Sequence, residues 1–129
     1  MARNNNLSVT FSQDAGDGAT GFSESSGTKS FTSGDALKIE GSVGTGATQY
    51  ATTSFGFGQA DGIYFENRDA TNYVSVTLQQ ASSGSDLCTL RIAPNSVFAI
   101  RFDTSQPPIT HITLQADTAA CNFVLCLAE

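Results

Sequence analysis

Tryptophan is absent, histidine occurs once, and lysine and arginine together number six. Each shortage removes a class of function. Nucleophilic hydrolysis needs a base held beside its nucleophile. The only histidine, His111, falls on what reads as the polar face of a strand, the usual place of an amphipathic surface residue. The G-x-S-x-G elbow is missing as well. Without tryptophan and with three tyrosines, the aromatic platform on which many sugar-binding modules stack their ligand is thin, leaving Tyr50, Tyr64 and Tyr73 as candidates. Twelve acidic residues against six basic ones give a formal charge of -6, which repels a phosphate backbone. Neither nucleic acid nor an anionic membrane is an expected partner.

Cysteine is scarce and odd in number: Cys88, Cys121 and Cys126, with no C-x-x-C spacing. Cys121 and Cys126 share one apparent strand five positions apart, so they point to opposite faces and cannot bridge each other. All three read as small buried hydrophobes. A zinc site would need three or four clustered ligands, which these do not supply. No cofactor and no metal are expected.

Long apolar runs are missing too. The start, Met1-Ala2-Arg3-Asn4-Asn5-Asn6, passes into alternating residues without the apolar region of a secretory leader, and no stretch is long enough to cross a bilayer. The expectation is a protein kept in the cytoplasm until it is assembled or released. The glycosylation match Asn6-Leu7-Ser8 then has no transferase to meet. Two Gly-rich stretches offer weak chemistry. Asp14-Ala15-Gly16-Asp17-Gly18 looks like a calcium loop but lacks the later bidentate Glu, and reads as a solvated turn. Gly41 to Gly46 lacks the Lys and helix of a phosphate loop. Asp61, Glu66, Asp69 and Asp103 could approach in space as a carboxylate pair, but nothing in the sequence singles one out. No catalytic residue is assigned.

What is present is alternation, beginning with Leu7, Val9 and Phe11. Residues 13–33 are rich in Gly, Ser and Asp and read as a long loop or arm. Leu37, Ile39 and Val43 form a strand with Lys38 and Glu40 outward, and Tyr50 to Phe57 another. Ile63 to Phe65 and Val74 to Leu78, joined by the polar turn Asn67 to Asn72, read as an antiparallel hairpin. Cys88, Leu90 and Ile92 alternate with Leu87, Thr89 and Arg91, Pro94-Asn95 turns, Phe98 to Phe102 follows, and Pro107-Pro108 breaks the ladder before Ile112, Leu114 and Ala116. The segment Cys121 to Ala128 is apolar on both faces, Phe123, Leu125 and Leu127 on one and Val124, Cys126 and Ala128 on the other. Such a strand is either central in its own sheet or covered by another subunit. The pattern predicts an all-β fold, one antiparallel β-sandwich domain over 1–129, with a jelly roll among the topologies that it fits.

The stretches YFENRDATNYVSV, LRIAPNSVFAIRF and ITLQADTAACNFVLCLAE, spanning about residues 61 to 129, resemble a pattern found in small all-β structural proteins of tailed bacteriophages. The second turn, often Pro-Gly-like in such proteins, is Pro94-Asn95-Ser96 here. The resemblance implies a non-enzymatic virion subunit, with a capsid decoration (cement) protein favoured over a tail, baseplate or head-fibre component. It implies the major capsid protein or other virion proteins as partners, and the three-fold sites that decoration proteins commonly occupy favour a homotrimer. A low-charge surface suits packing among repeated copies, and the Gly/Ser-rich N-terminal segment suits contacts with a neighbour. The rival reading is a carbohydrate- or receptor-binding β-sandwich module.

Overall fold

The computed structural model describes residues 3–13, 22–33, 36–83, 86–103 and 107–129. Ten strands run through them: β1 Arg3–Gln13, β2 Phe22–Ser33, β3 Ala36–Val43, β4 Thr48–Ala51, β5 Gly62–Asn67, β6 Val74–Gln79, β7 Asp86–Ile92, β8 Val97–Arg101, β9 His111–Ala116 and β10 Cys121–Ala128. Strands β1 and β2 form a hairpin of their own. The remaining eight make two antiparallel four-stranded sheets, ordered β3-β10-β5-β8 and β4-β9-β6-β7. Among the links between successive strands of these sheets, β6 to β7 stays within one sheet, and every other passes from one sheet to the other.

The alternation read from the sequence explains which face each sheet buries. From the first sheet Val43, Ile63, Phe65, Phe123, Leu125 and Leu127 point into a shared core. From the second come Val74, Val76, Leu78, Ile112, Leu114 and Ala116. Phe65 and Phe123 stack with ring centroids 5.9 Å apart, and Tyr50 of the opposite sheet meets Phe123 edge-on at 6.4 Å. The two layers are therefore one β-sandwich. Edge strands β7 and β8 have no strand beyond them, so Leu90 and Ile100 point inward yet remain exposed.

Several expectations need correction. Phe22–Ser33 is not loop: it pairs with β1 from Arg3↔Ser33 to Phe22↔Gln13, with a bulge where Val9 faces Ser26 and Gly27, the glycine at φ 61°. Backbone pairing with β1 forms this strand, whose residues Ser23 to Lys29 are all exposed. The calcium-like segment Asp14 to Gly18 lies outside the described residues. The segments 63–65 and 74–78 are not a hairpin, because β5 and β6 belong to different sheets and the polar turn between them is the corner. The strand expected from Tyr50 to Phe57 stops at Ala51. A 3-10 turn over Thr52–Phe55 follows, closed by Gly56 at φ 88°, whose amide donates to the Thr53 carbonyl at 3.2 Å.

The two-sided apolar strand β10 lies between β3 and β5, so its own sheet flanks it on both edges. Its second face is covered by its neighbours. Val124 is 3% exposed and Ala128 6%. Of the cysteines, Cys121 is buried, Cys126 is half-buried and Cys88 is exposed, against the expectation that all three are buried. Cys88 does share the inward face with its cross-strand partner Leu78, but β7 is the edge strand of its sheet among the described residues, and Cys88 is exposed there.

Candidate functional site

The outer faces of the two sheets differ in kind. On β4-β9-β6-β7 the polar groups close on one another. Gln79 Oε1 accepts from Thr113 Oγ1 at 2.6 Å and Gln49 Nε2 at 3.0 Å, while its Nε2 donates to Asp86 Oδ1 at 2.8 Å. Thr77 and Thr89 join their hydroxyls at 2.9 Å. This face satisfies itself.

Across β3, β10 and β5 the register grades the outer face from charged to small, while β8 adds Val97 beside Glu66, Ala99 beside Tyr64 and Arg101 beside Gly62. Val124 lies between Glu40 and Glu66, Cys126 between Lys38 and Tyr64, and Ala128 between Ala36 and Gly62. At the charged end Lys38 Nζ meets Glu40 Oε1 at 2.7 Å, and Arg68 Nε meets Glu66 Oε1 at 3.2 Å. Arg68 Nη1 reaches Glu40 at 3.7 Å, and the Tyr64 hydroxyl donates to Glu66 Oε2 at 3.0 Å. The Lys38 ammonium holds the Glu40 carboxyl below its usual range, and the Arg68 guanidinium does the same for Glu66. Burial, then the Glu66 charge, pushes the Tyr64 phenol up. These pairs are exposed and add little stability as charges. Glu40 and Glu66, on either side of Val124 in the register, place methylene stems beside this buried residue.

At the small end Ala36, Gly62, Ala99 and Ala128 form a floor with no side chain longer than a methyl. Over it lies a groove of about 380 Å³, walled by Lys38, Tyr64 and Cys126 and bordered by Asn6 and Leu7 of β1. Leu7 is half-buried, although Asn6 and Ser8 beside it are exposed. The N-terminal hairpin thus meets the sandwich through an apolar side chain at a surface of small residues. Burial raises the Cys126 thiol, which disfavours the thiolate needed for nucleophilic chemistry.

Of the acids singled out from sequence, Asp61 and Asp103 come next to each other, because the Phe102 amide donates to the Asp61 carbonyl at 2.7 Å. His111 is half-buried and its Nδ1 meets Thr110 Oγ1 at 2.9 Å. Asp61 accepts from Gln59 Nε2 at 2.6 Å, Glu66 belongs to the charged end of the groove face, Asp69 accepts from the Thr71 and Asn72 amides at 2.8 and 2.6 Å, and Asp103 is exposed. Tyr50 packs in the core, and Tyr73 carries the Arg91 guanidinium 4.9 Å above its ring. Gly41 lies against the Phe123 ring, where an added Cβ would sit 3.6 Å away. Among the described residues, no three His, Cys, Asp or Glu side chains gather where they could hold a metal ion.

Sequence reasoning missed the groove. Its floor comes from four strands scattered over the chain, and small residues become a surface feature only once the register sets them side by side. The apolar alternation at Leu7 and Val9 was a usable signal, but it reads equally as an ordinary core strand. The chain matches no family model, no curated protein and no solved structure.

Proposed function

We propose that this chain is a non-enzymatic structural subunit of a tailed-phage particle, a decoration subunit that strengthens the head through contacts with the major capsid protein and with further copies of itself, as a homotrimer. The observation that carries the reading is the N-terminal hairpin: an element that pairs with itself, exposes residues 23–29 and Val9, and meets the sandwich at a groove of small residues. An isolated two-stranded hairpin is marginal in water and gains stability from a surface to lie on. A subunit whose role is contact supplies such surfaces from its neighbours.

The strand order supports the same reading at the level of architecture. Sheets ordered β3-β10-β5-β8 and β4-β9-β6-β7, with one link inside a sheet and the rest crossing, support reading the sandwich as a jelly roll. That architecture serves viral capsid domains, and also lectins and cupins, so it favours the proposal only together with the hairpin. The single histidine, half-buried against the Thr110 hydroxyl, supports contact over turnover.

The test is to add the purified chain to phage heads stripped of their accessory proteins, measure co-sedimentation, and locate the bound density by electron microscopy. Saturable binding at the head's symmetry axes is expected. Density on the tail or baseplate, or glycan binding without head binding, would replace this reading by one of its rivals.

A further inference from the structure

The hairpin and the groove do not saturate each other within one chain. With Leu7 already at its border, the groove still holds about 380 Å³ of open volume above the Ala36, Gly62, Ala99 and Ala128 floor. On the hairpin side, Val9 shares the face of Leu7 two residues along the strand, yet is 49% exposed. One element thus carries two apolar side chains on a face and seats one of them. The bulge at Ser26-Gly27 twists the hairpin just opposite Val9, and the Val9 amide donates to Ser26 Oγ at 3.0 Å, fixing that bend.

We infer that the groove receives the β1 edge of a second copy's hairpin, so that copies associate by passing their N-terminal arms from one to the next. The occupant is named by the chain itself: the segment bordering the groove in one copy has the apolar chemistry that the groove accepts. A contact made within a chain is available between chains at little added cost, because the partner surfaces are identical. Between copies the hairpin can approach without the restraint of its own link to β3, and both Leu7 and Val9 can be seated. The arm and the groove are different surfaces, so two copies can exchange arms reciprocally, or successive copies can pass them on in one direction, as the proposed homotrimer requires, where the rotation closes the ring. This inference rests on the proposed role in contact between copies, and names the surfaces that would make it.

The test uses the full chain and no phage head, so its outcome is independent of head binding. Leu7→Cys is introduced with Cys88→Ser, and the new thiol is joined to the native Cys126 in the groove wall by a flexible bis-maleimide. The expected product has the mass of two or more chains, and light scattering of the unaltered chain shows the same multiple. Leu7→Asp, checked for an unchanged strand spectrum, is expected to weaken self-association at least ten-fold. A linked product confined to one chain overturns the inference. So does absence of linkage when both thiols react with a single-ended maleimide, or a Leu7→Asp protein that associates as before. Head binding by a protein shown to be monomeric would sink arm exchange and leave the decoration reading standing; arm exchange without head binding would do the reverse.

Discussion

The Asn67 side chain donates to the Ile92 carbonyl at 3.1 Å, tying the end of β5 in one sheet to the end of β7 in the other. The same amide nitrogen donates to the carbonyls of Asn72 at 2.8 Å and Ala93 at 3.1 Å, and its oxygen accepts from the Asp69 amide at 3.0 Å. Fully buried, Asn67 gathers the main chain of the corner that carries β5 across to β6.

Replacing Asn67 by Ala removes the donor to the buried Ile92 carbonyl and to the part-buried carbonyls of Asn72 and Ala93, at a cost of about 1–3 kcal/mol for each buried group left unpaired. Asn67→Ala is expected to lower unfolding stability by about 3 kcal/mol in urea titration. Asn67→Asp is expected to be worse at neutral pH, because its carboxylate would face carbonyl oxygens, and to recover part of the loss in acid as it becomes protonated.

Asp69 is held below the usual carboxylate range by the Asn72 and Thr71 amides. A carboxyl whose folded pKa is depressed contributes stability above its unfolded value, and loses it as pH falls through the folded one. Glu40 and Glu66 act in the same sense. Stability should therefore decline below about pH 4, near the ordinary carboxylate values. Thermal unfolding of Asp69→Asn across that window is expected to show a shallower acid decline, and added salt should weaken the Glu40 and Glu66 contributions.

Thr52, at the start of the 3-10 turn, is 1% exposed, and its Oγ1 has no hydrogen-bond partner among the described residues. Thr52→Val keeps the shape and removes a buried polar atom. The substitution is expected to raise stability by about 1 kcal/mol in thermal or urea unfolding. A loss of that size would mean that the hydroxyl is bonded in solution.

The three cysteines should react with a maleimide in the order Cys88, then Cys126, then Cys121. Exposure sets the first rank. Burial raises both other thiols, and Cys121 is the more enclosed by exposed surface area, with its sulfur beside the Ala119 carbonyl at 3.5 Å. Mass spectrometry of peptides after timed labelling is expected to find Cys121 modified only under denaturing conditions.

Period-two alternation was enough to place β3 and β5 to β9, because burial on one face of a sandwich imposes that period directly, whereas β10 was legible as a run apolar on both faces. It could not place β2, whose strand is held by pairing with β1 rather than by burial. Nor could it tell a hairpin from a corner between Phe65 and Val74. A short polar turn serves both, and the choice depends on Asn67 meeting carbonyls that come together only in three dimensions. Cys88 exposes a similar limit: alternation gave its inward direction, but whether anything lies over it depends on β7 being an edge. The groove was the least legible feature, since its floor is defined by register across four strands.

The central position of β10 constrains when the molecule can fold during synthesis. Strands β3 and β5 share no ladder and are joined through Cys121–Ala128. Until that segment has left the ribosome, both present open edges and unburied leucine and phenylalanine faces to solvent, a state prone to mispairing. Folding must wait for the segment's release, and a ribosome stalled a few codons before Cys121 would hold a chain that chaperones, rather than its own sheet, have to protect.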